Sequence, residues 1–290
     1  MEPIFLITDS SSILCDGLKV SLSRAGHKIL YFNITDNAIE FDGRNVASED
    51  ENIIFTVRTY NISCALFVPS ILSDEIKATD NIDSKIANII KKVVENGVNK
   101  IILLSSIWAK PDEPRGRHHF LWQIEELIRH LDTNIEVLRL PLVYGVKGSV
   151  IHSLIEDSIR RFIMLVPKST ETSLLFVDDL AGIISNKIQS VGAVRRARYI
   201  FSPKRVKMED IVRCARLSAQ RRGPLLVVND IFYRLLSKFF GIKKRDVYIR
   251  VKRDFFRDID ISWNGFDDDF SYNFKDIIEW VDKVSEFRVK

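Results

Sequence analysis

The 290-residue sequence has few cysteines and no long hydrophobic run. Its cysteines, Cys15, Cys64 and Cys214, are far apart and form no Cys-x-x-Cys pair, so neither a disulfide framework nor a zinc site is predicted. No apolar run approaches the roughly 20 residues that a membrane span needs. The start, Met1-Glu2-Pro3, lacks the basic segment of a signal peptide. These absences predict a cytoplasmic protein with reduced thiols and no metal.

The loop after the first predicted strand lacks the glycines of a dinucleotide-binding site. Residues 4–33 read as a strand, a helix and a second strand, which is the order of a nucleotide-binding unit. Glycines are needed in its first loop because the backbone must approach a pyrophosphate at the helix N-terminus. Asp9, Ser12 and Cys15 stand at these three positions, and a carboxylate repels phosphate. The pattern indicates the strand–helix–strand fold of a nucleotide-binding unit, but it does not indicate a pyrophosphate-binding loop.

Apolar runs of strand length alternate with segments of helical period along the first half of the chain. The predicted strands are 4–8, 27–33, 64–69, 100–106 and 135–140; the predicted helices are 13–25, 53–59, 82–96 and 119–131; residues 36–52 are a polar stretch. Such an alternation predicts an α/β fold with a Rossmann-type, mostly parallel sheet and helices on both faces. We assign residues 1–145 to this core. Residues 146–290 form a mixed segment that completes the core at about 170–200 and then builds a smaller, basic C-terminal substrate-side region.

The net charge of +4 hides an uneven distribution. Between Arg195 and Arg253 there are 18 basic and 4 acidic residues. Three interpretations stay open: a solvated face, a site for the phosphates of an anionic ligand, or contact with a polyanion or an anionic membrane. The membrane hypothesis depends on residues 231–240, where apolar side chains alternate with Arg234 and Lys238. No nucleic-acid partner is expected, because aromatic and basic residues are not densely interleaved.

Five segments, in this order, resemble the extended short-chain dehydrogenase/reductase superfamily, and in particular its NAD-dependent nucleotide-sugar epimerase/dehydratase branch. They are Ile4–Leu18, Gly26-His27, Leu104-Ser105-Ser106, Leu138–Gly145 (LRLPLVYG) and Phe176–Ala181 (FVDDLA). Residues 258–281 resemble the family's C-terminal pattern, and Pro224–Gly241 resembles relatives that act in polysaccharide synthesis. The resemblance implies NAD or NADP as cofactor, a nucleotide or nucleotide sugar as ligand, and a homodimer or a related enzyme as partner.

The resemblance also implies which residues form a site. Cofactor contacts fall on Thr8, Ser10, Ser12, Ile13, Asn33 and Ser105, and substrate phosphates on Arg205 and Arg250. Each assignment has an alternative: the serines of the first loop cap a helix, Asn33 is a turn residue, and the paired serines at the strand end make only a remnant polar contact.

The acid/base pair that the resemblance implies, Tyr-x-x-x-Lys, belongs in the helix that leads to Glu125-Glu126. The two registers place Arg117 and Leu121, or His118 and Trp122, at these positions, so neither supplies the pair. Ser106 would polarise a substrate oxygen, and His118 would serve as an acid/base near neutral pH. The alternative for His118 is a solvated basic turn together with Arg115 and Arg117.

Loss of the fingerprint and of the catalytic pair together favours a pseudoenzyme. Such a protein binds a nucleotide or nucleotide sugar, or regulates a related enzyme, in polysaccharide biosynthesis. General acid/base catalysis contributes about 10²–10⁴-fold, so an active NAD(P)-dependent epimerase or reductase that uses His118 stays open. An interaction protein whose basic C-terminal third docks on a membrane or polyanion is the third hypothesis.

Overall fold

A computed structural model describes the fold over residues 3–8, 12–34, 38–41, 44–47, 57–69, 82–111, 117–131, 133–189, 197–202, 204–239 and 276–286. The strands are β1 (Ile4–Thr8), β2 (Ile29–Asn33), β3 (Ala38–Phe41), β4 (Arg44–Ala47), β5 (Cys64–Phe67), β6 (Lys100–Ser106), β7 (Asn134–Leu140), β8 (Leu142–Tyr144), β9 (Met164–Pro167), β10 (Thr172–Phe176), β11 (Ala197–Tyr199), β12 (Arg205–Val206) and β13 (Leu225–Val228). The helices are α1 (Ile13–Arg24), α2 (Ile82–Glu95), α3 (Arg117–Arg129), α4 (Val150–Arg160), α5 (Val177–Gln189), α6 (Met208–Ser218), α7 (Asp230–Phe239) and α8 (Ile277–Glu286).

The chain divides into two compact units. Unit 1 comprises Met1–Leu140, Val177–Ile200 and Asn264–Phe270, and unit 2 comprises Pro141–Phe176, Phe201–Trp263 and Ser271–Lys290. The division of the sequence into residues 1–145 and 146–290, with a C-terminal substrate-side region, stays a prediction.

Unit 1 is built on an eight-stranded sheet with the order β11-β7-β6-β5-β1-β2-β3-β4. The six strands from β11 to β2 are parallel to one another, and β3 and β4 add antiparallel pairs at one edge. The predicted Rossmann-type, mostly parallel sheet is therefore confirmed. The order places β2 on one side of β1 and β5 on the other, so the crevice that binds ligands in such sheets lies at the carboxyl ends of β1 and β5.

The core of unit 1 follows from the apolar runs in the sequence. Every residue of β1, β2, β5 and β6 is buried, as expected for strands covered on both faces. In α2 the buried residues are Ile86, Ile89, Ile90 and Val93, which lie on one side of the helix and pack in the cluster that also contains Ile101 and Leu103 of β6. The opposite face of β6 meets α5, where the Lys100 ammonium donates to the carbonyl of Lys187.

The polar stretch predicted over residues 36–52 contains an antiparallel hairpin, β3–β4. The prediction was wrong here because Ala38-Ile39-Glu40-Phe41 alternates too briefly to stand out, although Asp42-Gly43 is a strong hairpin signal. Of the helix predicted over 53–59, residues 57–59 are helical and the rest lies outside the described residues.

Unit 2 contains two small sheets and three mutually packed helices. The sheets are β12-β10-β8 and the parallel pair β13-β9; the helices are α4, α6 and α8. Tyr144 is buried with its ring 5.3 Å from that of Phe176 and 5.4 Å from that of Trp280. The next residue, Gly145, has φ +100°, and a Cβ there would lie 2.6 Å from Phe176 Cδ2. Both its conformation and its contact with the ring therefore require glycine.

The buried guanidinium of Arg216 holds the loops of unit 2 together. It donates to the carbonyls of Ser158, Arg161, Phe162 and Gly223 at 2.7–3.1 Å. Burial lowers the pKa of Arg216, and the charge of Arg221 lowers it further. Four carbonyl acceptors satisfy a charge that would otherwise be costly to bury.

No helix within the described residues is long and apolar enough to cross a membrane.

Candidate functional site

The carboxyl ends of β1, β2 and β6 bring together most of the residues that the sequence assigns to a site. Thr8 ends β1, Asn33 ends β2, and Ser105 and Ser106 end β6; all four are buried. Thr8 pairs with Asn33 in the sheet register, and its carbonyl accepts from the amide of Ile34 at 2.8 Å. The parallel sheet thus places these polar residues along one edge, where such folds bind ligands.

Ser12 caps the helix that follows β1. Its Oγ accepts from the amide of Cys15 at 3.1 Å, and its carbonyl accepts from the amide of Asp16 at 3.0 Å. Ile13 is half-buried in the first turn, and Cys15 is fully buried. The Ser12 hydroxyl therefore accepts the hydrogen bond of a first-turn amide, so that this amide is not available to donate to a bound phosphate. Asp9 and Ser10 lie outside the described residues.

Ser105 belongs to a buried network that joins β6, α3, β7 and β11. Its hydroxyl donates to Glu125 Oε1 at 2.5 Å. Arg139 donates to the same carboxylate through Nε at 3.1 Å and through Nη2 at 2.6 Å, and its Nη1 lies 2.5 Å from the hydroxyl of Tyr199. The side chains of Glu125 and Arg139 are only 2% and 14% exposed. Such a two-pronged pair is among the strongest side-chain contacts.

The electrostatics of this network keep Arg139 charged. Burial alone would lower the pKa of Arg139, but the hydrogen bonds and charges of Glu125 and Tyr199 raise it above its ordinary value. The Ser105 hydroxyl is held by the carboxylate that pairs with Arg139, on the side of the sheet that α3 covers.

Ser106 faces the other side of the sheet, since successive strand residues alternate. Its Oγ accepts from the amide of Trp108 at 3.2 Å and supports the turn that follows β6. The two serines share a strand end without sharing a surface.

His118 is buried in the first turn of α3. It is 3% exposed, and its ring lies 5.7 Å from that of Trp108. The alternative of a solvated basic turn is therefore wrong for His118: the indole that follows β6 covers it. Trp108 thus contacts both residues: its ring packs near that of His118, and its amide donates to Ser106 Oγ.

At the positions of α3 where the lysine of the catalytic pair is expected, Leu121 and Trp122 are apolar. Leu121 is buried with Ala109, and Trp122 packs beside His119 at 5.5 Å. Glu125 faces the sheet, whereas Glu126 forms an exposed pair with Arg129. The sequence of α3, RHHFLWQIEELIR, contains neither tyrosine nor lysine.

Of the predicted phosphate-binding arginines, Arg205 is an exposed residue of β12 in unit 2, where it pairs with Ser173. Arg250 lies outside the described residues. No group of His, Cys, Asp and Glu able to hold a metal ion occurs in the described part of the chain.

Sequence reasoning missed the roles of Glu125, Arg139 and Tyr199. A signal was present: Arg139 lies inside the apolar strand Val137–Leu140, and an arginine in such a place needs a buried acceptor. Tyr199, 60 residues later, gave no such signal.

The sequence matches no protein-family model and no curated protein. The structure, however, defines the chain as a Rossmann-type protein with the fold of nucleotide-sugar epimerases and reductases, so the predicted resemblance is confirmed for the fold.

Solved structures of three enzymes illustrate the similarity. The Bordetella bronchiseptica enzyme WbmH, in complex with NAD+, is 14% identical, with a TM-score of 0.59 over 99% of each chain. The dTDP-4-dehydrorhamnose reductase of Bacillus anthracis, in complex with NADP, is also 14% identical, with a TM-score of 0.59 over 80% of this chain and 86% of that one. The UDP-glucuronic acid 4-epimerase of Bacillus cereus is 11% identical, with a TM-score of 0.55 over 78% and 86% of the two chains.

Proposed function

We propose that this protein binds a nucleotide or nucleotide sugar at the carboxyl edge of its parallel sheet and has lost standard NAD-dependent catalysis. The observation that carries this proposal is the lack of an acid/base pair on α3. Leu121 is buried among apolar residues there, and the helix offers no tyrosine or lysine for acid/base chemistry. Similar structures are described with NAD, NADP or UDP-glucuronic acid, which supports a nucleotide ligand for the shared fold.

The first loop supports the loss of tight dinucleotide binding. The Ser12 side chain caps the N-terminus of α1. The buried side chain of Cys15 occupies the position at which the resembling family has its third glycine. These residues do not fit the standard backbone cradle for a pyrophosphate. A single phosphate, or the nucleotide end of a sugar nucleotide, requires fewer backbone contacts from this loop.

The Ser105 network supports the same conclusion. The resemblance assigns Ser105 to cofactor contact, which requires a hydroxyl that is available to the cofactor. Ser105 instead donates to Glu125, which is paired with Arg139. The network thus has a direct role in joining strands and helix, and the proposal assigns it no part in a reaction.

Native mass spectrometry, followed by thermal shift with NAD(H), NADP(H) and UDP-, GDP- and dTDP-sugars, tests the proposal. We expect a response to a sugar nucleotide and none to the dinucleotides alone. The variant Asp9→Gly/Ser12→Gly/Cys15→Gly should gain a response to NAD(H), because it restores the three glycines of the loop.

The matched control is Ser149→Gly, which removes the serine cap of α4, where Ser149 Oγ accepts from the amide of His152 at 3.3 Å. Ser12→Gly and Ser149→Gly should lower the melting temperature to a similar degree, and only Ser12→Gly should alter the response to ligands. A dinucleotide carried through purification, with turnover that is lost in His118→Gln, would instead establish the active-enzyme hypothesis.

A further inference from the structure

Helix α7 of unit 2 presents large apolar side chains to solvent. Ile231 is 79% exposed, Phe232 56% and Leu235 51%. At 100° per residue these three positions lie within one third of the helix circumference. Tyr233 points the other way and is fully buried. The helix is fixed at its start, where the Asn229 side chain accepts from the amide of Phe232 at 3.0 Å. The exposed side is thus a stable feature of unit 2.

The strand that leads into α7 also has exposed apolar residues. Leu226 and Val227 of β13 are 38% and 37% exposed, and among the described strands β13 pairs only with β9. Phe162, just before β9, is 63% exposed. Single exposed apolar residues are ordinary, but a run of them along consecutive elements marks an interaction surface. We call Ile231, Phe232 and Leu235 the α7 surface.

The charged residues that flank the α7 surface in the sequence are mainly positive. Arg221 and Arg222 are exposed before β13, and Arg221 donates to the carbonyl of the exposed Arg160 at 3.2 Å. Within α7 the sequence places Arg234 and Lys238 three and seven residues after Ile231. Between residues 217 and 239 there are four basic residues and one acidic residue. The partner of this surface should therefore carry negative charge beside an apolar interior.

We propose that the α7 surface docks on the anionic face of a lipid bilayer. Ile231, Phe232 and Leu235 would enter the boundary between headgroups and acyl chains, while the arginines would contact lipid phosphates. Stable peripheral attachment takes two such signals, an apolar insertion and a basic patch. A second copy of the chain fits less well, because a two-fold interface would pair this mainly basic surface with itself.

Co-sedimentation of the full chain with vesicles tests this proposal. We expect binding to phosphatidylcholine vesicles that contain phosphatidylglycerol, little binding to phosphatidylcholine alone, and weaker binding at high salt. Phe232→Ser should lower the partition coefficient about tenfold or more, because it removes a side chain that would be buried in the bilayer. Arg221→Ala/Arg222→Ala should lower it about fivefold for each arginine, on anionic vesicles only.

The control is Leu127→Ser, which alters a residue of α3 in unit 1 that is 46% exposed. It should leave vesicle binding unchanged. Absence of binding by the parent protein, or an equal loss in Leu127→Ser, would overturn the proposal. Light scattering that shows a dimer lost in Phe232→Ser, without vesicle binding, would assign the α7 surface to contact between copies. Nucleotide-induced thermal shifts should persist in Phe232→Ser, so the two proposals succeed or fail separately.

Discussion

Glu125→Gln should destabilise the protein far more than the same change at the neighbouring Glu126. Both carboxylates pair with an arginine at nearly equal distance, 2.6 Å for Glu125–Arg139 and 2.7 Å for Glu126–Arg129. Their burial differs: the Glu125 side chain is 2% exposed and that of Glu126 is 33% exposed. Removal of one partner from a buried pair costs about 3–5 kcal/mol, whereas an exposed pair contributes about 0–1 kcal/mol.

Thermal unfolding followed by circular dichroism measures this difference. A loss of 1 kcal/mol lowers the melting temperature by about 2–4 °C in a domain of 150–250 residues, so Glu125→Gln should lower it by about 6–20 °C. Glu126→Gln should change it by less than about 4 °C. The physical reason is that Glu125→Gln leaves the charge of Arg139 buried without its carboxylate partner and removes the carboxylate that accepts from Ser105.

The double variant Glu125→Leu/Arg139→Met separates the effect of the buried charges from the effect of side-chain volume. It removes both charges together, so its stability should lie closer to that of the parent than that of Glu125→Gln. If Glu125→Gln and Glu126→Gln shift the melting temperature equally, the buried network does not contribute as argued.

Three further results are expected. Gly145→Ala should cost about 1–3 kcal/mol more in unfolding free energy than Gly97→Ala, since both glycines have positive φ but only Gly145 meets a ring; equal losses in urea unfolding would contradict this. Burial lowers the pKa of His27 below 6.5, so the imidazole is protonated at a higher pH in the unfolded chain than in the folded protein. The free energy of unfolding should therefore fall as pH drops from about 6.5 through the lowered pKa, and His27→Gln should reduce this pH dependence. Burial raises the pKa of Cys64 to about 12, so iodoacetamide should label the half-buried Cys214 but not Cys64 in the folded protein, as read by peptide mass spectrometry.

The parallel core could be predicted from the sequence because its strands are largely apolar. β1 and β6 are buried on both faces, and this requirement leaves little choice of residue. The β3–β4 hairpin is hard to predict because a short edge pair needs only a few apolar positions, and these lie inside a polar stretch.

The candidate site was predictable only in part. The strand-end position of Ser105 and Ser106 follows from the pattern of β6, but the opposite roles of the two hydroxyls depend on partners that fold against them. Glu125 and Glu126 are adjacent and identical, so the sequence could not indicate which one faces Arg139. His118 follows a basic segment and looks solvated, whereas Trp108, ten residues earlier, buries it.

The burial of Leu121 sets the requirements for any attempt to engineer turnover into this chain. A lysine introduced there would place an ammonium in the apolar cluster with Ala109, where burial would favour its neutral form. Tyrosine and lysine substitutions alone would therefore yield an unstable protein before they yielded a catalyst. A successful redesign would first have to open that cluster to water and release Ser105 from Glu125, so recovery of activity would need several coordinated changes.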